Sequence, residues 1–145
     1  RESAARAAAG PAAARIRVVG RRTDVADLMR SCDAYVLSSV NEGMPNTVIE
    51  AMAAGLSIVA TNVGGTGELL GGDDCGILVP ARDTAALAAA MSRVMDLEPA
   101  ARLAMGARSR ARMLRRHGLE TALDRWEELC REAGGHEGRG DDGRA

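Results

Sequence analysis

The sequence predicts an α/β protein: a parallel sheet flanked by helices, followed by a helical C-terminal segment. Three observations carry this expectation. Between Ile16 and Val79, apolar runs of strand length alternate with helical stretches at the spacing of βαβ units. The apolar runs are continuous rather than alternating, as in strands covered on both faces. After Pro80 the strand pattern stops and helical periodicity takes over. At 145 residues the chain fits one domain, large enough to bury a core without disulfides or metal.

The elements follow in order. The chain opens on an Ala-rich helical stretch, Glu2 to Ala9, and not on Met, as if cut from something longer. Ile16-Arg17-Val18-Val19, stopped by Gly20, reads as a strand. Asp24 can cap a helix that carries Val25, Leu28 and Met29 and runs to about Ser31. Ala34 to Ser38 is a second strand. A loop leads to a helix from about Asn46 to Ala54, stopped at Gly55. Ser57 to Thr61 is a third strand, Gly64-Gly65 a turn, and Gly67 to Leu70 a short helix. Gly76 to Val79 is a fourth strand, closed by Pro80.

Asp83 or Thr84 then caps a helix with Leu87, Met91 and Val94 on one face, closing near Leu97. Glu98-Pro99 starts another, to about Arg116, and Gly118 separates the last. There Leu119, Leu123, Trp126 and Leu129 form one stripe, with Trp126 read as packing rather than ligand stacking. Residues 1–133 read as one domain. Residues 134–145, rich in Gly, Asp, Arg and Glu, read as a disordered tail.

Composition excludes several functions. Tyr35 and Trp126 are the only aromatics, which argues against single-strand nucleic-acid binding by base stacking. A net charge of −1 gives no global attraction to nucleic acid or an anionic membrane. All nineteen basic residues are Arg, a pattern best assigned to genomic base composition. Six of them fall between residues 102 and 116 and read as a solvated helix face. Cys32, Cys75 and Cys130 make neither a CxxC pair nor a disulfide framework; they read as three small buried hydrophobes in a reducing cytoplasm. His117 and His136 lack metal-ligand spacing, so no metal and no cofactor is expected. No apolar run approaches the ~20 residues needed to span a bilayer, and no signal peptide is read.

Chemistry concentrates between Glu42 and Glu50, eight positions apart around a Gly-Met-Pro-Asn turn. Pro45 suits the start of a helix. The amides of Asn46 and Thr47 are then left unpaired at its positive end, where phosphate binds. Glu50, about one turn in, can accept bonds from vicinal hydroxyls such as those of a ribose. Glu42 lies just past the C-terminal end of a parallel strand, where open α/β sheets place ligands. A carboxylate, a phosphate cradle and a second carboxylate suit a nucleoside diphosphate joined to a sugar. The spacing alone is weak, since two glutamates eight apart occur often by chance.

The flanking residues add specificity. Ser38 to Gly55, with Asn41-Glu42-Gly43-Met44-Pro45-Asn46-Thr47-Val48-Ile49-Glu50 at its centre, resembles the E-x7-E signature of family 4 glycosyltransferases. These are retaining enzymes of the two-domain GT-B architecture. The resemblance continues through Ser57 to Leu69, Gly76 to Val79, Asp83 to Leu87 and Met105 to Arg108, and upstream through Val18 to Val25. It covers about residues 15 to 130.

It implies a Rossmann-like fold, the C-terminal donor-binding half of a GT-B enzyme. Glu42 would be the catalytic carboxylate, facing the donor sugar. Main-chain N–H groups of Gly43 and Met44 would approach the sugar, those of Asn46 and Thr47 the diphosphate, and Glu50 would bind the ribose. Gly20 and Arg21 would lie toward the base, although a solvated loop explains them equally well. Gly64-Gly65 and Glu68 match a GGxxE turn, read as a tight strand-to-helix turn ahead of a pocket wall. Ser57 stands where the family has Pro. The partner set is a nucleotide-sugar donor, plus an acceptor sugar, lipid or small molecule held by an N-terminal domain upstream of Arg1. The basic pair that relatives use on the pyrophosphate also lies upstream of Arg1, so the 145 residues alone are expected to bind donor weakly and not to catalyse transfer. The resemblance leaves room for peripheral membrane contact by the full-length enzyme. Two rivals stay open: a nucleotide-sugar epimerase of the same architecture, and a catalytically inert nucleotide-binding module.

Overall fold

The structure, a computed structural model, describes residues 13–72 and 74–134. The predicted helix Glu2–Ala9 and nearly all of the predicted tail lie outside these residues.

Ser57–Thr61 forms β2, the middle strand of a three-stranded parallel sheet in the order β1-β2-β3. β1 spans Ala34–Leu37 and β3 Ile77–Val79. Ala34 lies opposite Ser57 and Leu37 opposite Ala60; Val59 lies opposite Ile77 and Thr61 opposite Val79. Parallel neighbours need crossovers, and helices supply them. α1 (Val25–Arg30) precedes β1, α2 (Asn46–Ala54) links β1 to β2, and α3 (Thr66–Leu70) links β2 to β3. Three helices follow: α4 (Thr84–Met95), α5 (Pro99–His117) and α6 (Leu119–Gly134).

Side chains alternate across β2 and divide the core. On one side Ile58 and Ala60 meet Met29, Leu37, Val48, Met52, Leu69 and Met113. On the other, Val59 meets Val79 with Ala90 and Val94 of α4. The punctuation is as the sequence implies. Gly55 ends α2 at φ 75°, and Asp83 caps α4 by accepting the Ala86 amide at 2.8 Å.

Helix α5 lies over β2 and α2, and two contacts fix it there. A Cβ at Gly106 would stand 1.8 Å from the Gly55 carbonyl oxygen, so only glycine permits this approach. The buried Ser57 hydroxyl donates to the Arg102 carbonyl at 3.0 Å, and Arg102 in turn donates to the Met95 and Leu97 carbonyls. A proline at position 57 could not make the first bond. Ser57→Ala is expected to lower stability by about 1 kcal/mol, read as a shifted urea midpoint at constant slope.

Five expectations need correction. Ile16–Val19 is not a strand: it carries no regular structure, and Val18 is 61 % exposed. A β-branched run becomes a strand only where another strand offers ladder partners, and among the described residues β1 pairs with β2 alone. Among the described strands only β2 is fully buried along its length; β1 and β3 are partly covered, and Val36 of β1 is exposed. On α4 the buried positions are Ala90 and Val94, while Met91 faces out, because the helix meets the sheet face at Val59 and Val79 through Ala90 and Val94. Cys32 and Cys130 are exposed and Cys75 half-buried. Cys32 follows the end of α1, and Cys130 lies on α6, along which no residue with a described side chain is buried. For the same reason Trp126 does not pack: it is 66 % exposed, with Leu119, Leu123 and Leu129 exposed beside it.

Candidate functional site

The loops that leave the C-terminal ends of β1 and β2 meet. The Gly65 amide donates to the Gly43 carbonyl at 2.7 Å. Gly64, at φ 50°, is pressed against the same loop: a Cβ there would lie 2.1 Å from the Glu42 carbonyl oxygen and 2.4 Å from that of Gly43. Left-handed φ and missing side chain are both required, which explains glycine at this position. The buried Thr61 hydroxyl, at the end of β2, donates to the Ser39 carbonyl at 2.6 Å. Ser39 Oγ then donates to Glu42 Oε1 at 2.6 Å. The Glu42 carboxylate is thus half-buried and held by a named donor.

Three residues further, the buried Pro45 precedes α2. The Val48 and Ile49 amides both reach its carbonyl, at 3.0 and 3.4 Å, so the Asn46 and Thr47 amides open the helix ahead of the first intrahelical bonds. The first turn contains no acidic residue and Pro45 offers no side-chain cap, leaving the positive helix end free of a built-in anion. Tyr35 Oη donates to Thr47 Oγ1 at 2.8 Å, tying this end to β1.

Glu50 is exposed, one turn along α2, and lines a cleft of about 370 Å³ with Thr23, Val25, Met29, Arg30 and Ala53. The volume falls within the range of small-ligand sites. Glu42, Gly43 and Met44 form the loop before the helix end, with Gly43 and Met44 exposed. Gly20 and Arg21 are exposed on the segment before α1 and do not line the cleft. Asp24 does not cap α1 through its side chain. Its carboxylate takes Arg22 Nε at 2.7 Å, and the guanidinium holds it below the ordinary carboxylate range. Glu68 lies exposed on α3, where its carbonyl and that of Leu69 accept from Arg112. The sequence reading missed Ser39, Thr61 and Tyr35. Ser39 is three positions from Glu42, the one sequence signal among them; Thr61 is brought to the turn only by the register of the sheet. Among the described residues no three His, Cys, Asp or Glu side chains converge to hold a metal ion, and no helix is long and apolar enough to cross a membrane.

The family described as "Glycosyl transferases group 1" matches residues 1–96, well over half of the chain. The chain belongs to the group 1 glycosyltransferases. This glycosyltransferase domain is 38 % identical, over 87 residues, to the lipopolysaccharide core biosynthesis mannosyltransferase LpsB of Rhizobium meliloti, covering 59 % of this chain and 25 % of that protein. Its fold is similar to HepE of Anabaena in complex with UDP-glucose, with TM-score 0.73 and 24 % identity over 81 % of this chain and 32 % of that one. It is also similar to the C-terminal domain of the glycosyl transferase group 1 protein LpcC of Francisella tularensis, with TM-score 0.62 and 20 % identity over 72 % of this chain and 53 % of that one. The glycosyltransferase domain therefore has the Rossmann-like fold of a GT-B C-terminal half. It spans about a quarter of the length of LpsB.

Proposed function

We propose that this domain binds the nucleoside-diphosphate-sugar donor of a retaining glycosyltransferase of family 4. The observation that carries the reading is one continuous loop-and-helix segment at the strand ends. It presents a held carboxylate at Glu42, the open amides of Asn46 and Thr47, and a second carboxylate at Glu50 beside a cleft. The crystallised complexes of HepE with UDP and with UDP-glucose support a nucleotide-sugar ligand.

In this reading the diphosphate sits at the head of α2, where amides and helix dipole stabilise the charge that builds on the leaving group. Glu50 accepts the ribose hydroxyls, and the Gly20–Arg21 segment lies toward the base. Gly43 and Met44 offer amides to the sugar. Glu42 orients the sugar and stabilises positive charge developing on its ring. No metal takes part. The acceptor, a sugar, lipid or small molecule, attacks the face from which the diphosphate departs, so anomeric configuration is retained. It is held by a second, N-terminal domain beyond these 145 residues, and the enzyme works in the cytoplasm.

Nuclear magnetic resonance titration of the chain with uridine, adenosine and guanosine diphosphates tests the reading. One of them is expected to shift the Asn46 and Thr47 amides. Glu50→Ala is expected to weaken that ligand at least about tenfold, the worth of a charge-assisted hydrogen bond. An unchanged Kd would remove Glu50 from the ribose. Turnover by the isolated chain would overturn the need for a second domain.

A further inference from the structure

The Glu42 carboxylate can serve a ligand hydroxyl well only if it is aimed before the ligand arrives. A free glutamate has three rotatable bonds, and fixing them on binding subtracts from affinity. Two hydroxyl groups already do this work. β1 ends at Leu37 and β2 at Thr61, with Leu37 opposite Ala60, so Thr61 lies one step beyond the last pair of the ladder. From there its hydroxyl, 3 % exposed, donates to the Ser39 carbonyl at 2.6 Å. This fixes the Ser39 backbone, and Ser39 Oγ donates to Glu42 Oε1 at 2.6 Å. An ionised carboxylate accepts only, so the proton in that bond belongs to serine. Oε1 is thereby engaged, and no protein hydrogen bond is found on Oε2 among the described residues. Further along the same loop after β2, Gly64 and the Gly65 amide close on the Glu42 and Gly43 carbonyls.

We propose that Ser39 is a positioning residue, backed by Thr61, that aims the free oxygen of Glu42 at a hydroxyl of the donor sugar. This rests on the nucleotide-sugar reading above. It adds a prediction that reading does not make: removing the Ser39 hydroxyl affects the sugar part of the ligand and spares the nucleotide part. A loop-stabilising role for Ser39 would move both together, because the same loop leads into the head of α2.

The test compares Ser39→Ala, Ser39→Thr and Thr61→Val with the unaltered chain, each checked for a native amide spectrum. Probes are uridine, adenosine and guanosine diphosphates and their glucose and mannose esters. With Ser39→Ala, the nucleoside diphosphate that binds best should keep its Kd within about twofold, while its preferred sugar ester weakens about five- to tenfold, the range of one lost hydrogen bond. Ser39→Thr, which keeps a hydroxyl, should restore most of the difference, and Thr61→Val should show a smaller loss of the same selectivity. Equal weakening of nucleotide and sugar nucleotide, or no change in either, overturns the positioning role while leaving the donor-binding reading intact. Failure of the unaltered chain to bind any of the probes overturns both.

Discussion

Gly106→Ala is expected to destabilise the fold by about 2–3 kcal/mol, because a methyl group has no room where α5 meets the end of α2. The added carbon would stand 1.8 Å from the Gly55 carbonyl oxygen and 2.7 Å from its carbon. Both are backbone atoms, so no rotamer change relieves the overlap. Gly55 is itself fixed at φ 75° and followed by Leu56 and Ser57, which enter the core. The helix must therefore move outward, loosening the buried Met105 and Met113 and stretching the Ser57–Arg102 bond. The melting temperature should fall by roughly 10 °C. Calorimetry checks this, and a fall of under about 2 °C would mean that α5 is far less tightly seated than described.

Gly64→Ala is expected to act on the site rather than on the core. The cost of a left-handed φ for alanine is about 1 kcal/mol. The larger effect is steric, since the Cβ would fall 2.1 Å from the Glu42 carbonyl oxygen and displace the turn. The Glu42 carboxylate would then leave the position Ser39 gives it, and binding of a sugar nucleotide should weaken by at least about tenfold, the equivalent of one charge-assisted hydrogen bond. Gly72→Ala isolates the dihedral term, because Gly72 has φ 127° and nothing within 4 Å of an added Cβ. A larger stability loss at Gly64 than in the control, with sugar-nucleotide affinity lost only at Gly64, is the expected pattern. Unchanged affinity at Gly64 would show that the β2–α3 turn does not support Glu42.

How much the sequence revealed depends on the range of the interaction. Helix α2 was readable to the residue because its boundaries are local chemistry: Pro45 before it and Gly55 after it. The carboxylates Glu42 and Glu50 stood out for the same reason, being set by spacing along one loop and one helix. Ile16–Val19 was misread because strand formation depends on a partner from elsewhere, which propensity does not encode. Thr61 and Tyr35 escaped because their hydrogen bonds cross between elements, and Ser39 because the loop conformation that turns its hydroxyl to Glu42 depends on the bond from Thr61. Only the register that places Leu37 opposite Ala60 brings Thr61 and Ser39 together. Trp126 was judged by its place on an apolar stripe and the cysteines by residue type, and neither says whether another element packs against them.

The bond from Tyr35 to Thr47 has an optical consequence. Tyrosine and tryptophan each occur once in this chain. Trp126 stands in solvent on α6, whereas the phenol of Tyr35 donates to Thr47, the second residue of α2. An anion arriving at that helix end is expected to alter the field around the phenol more than that around the exposed indole. The unlabelled protein therefore carries a reporter and a reference in separate emission bands, and the ratio between them would follow occupancy of the site without any probe being added.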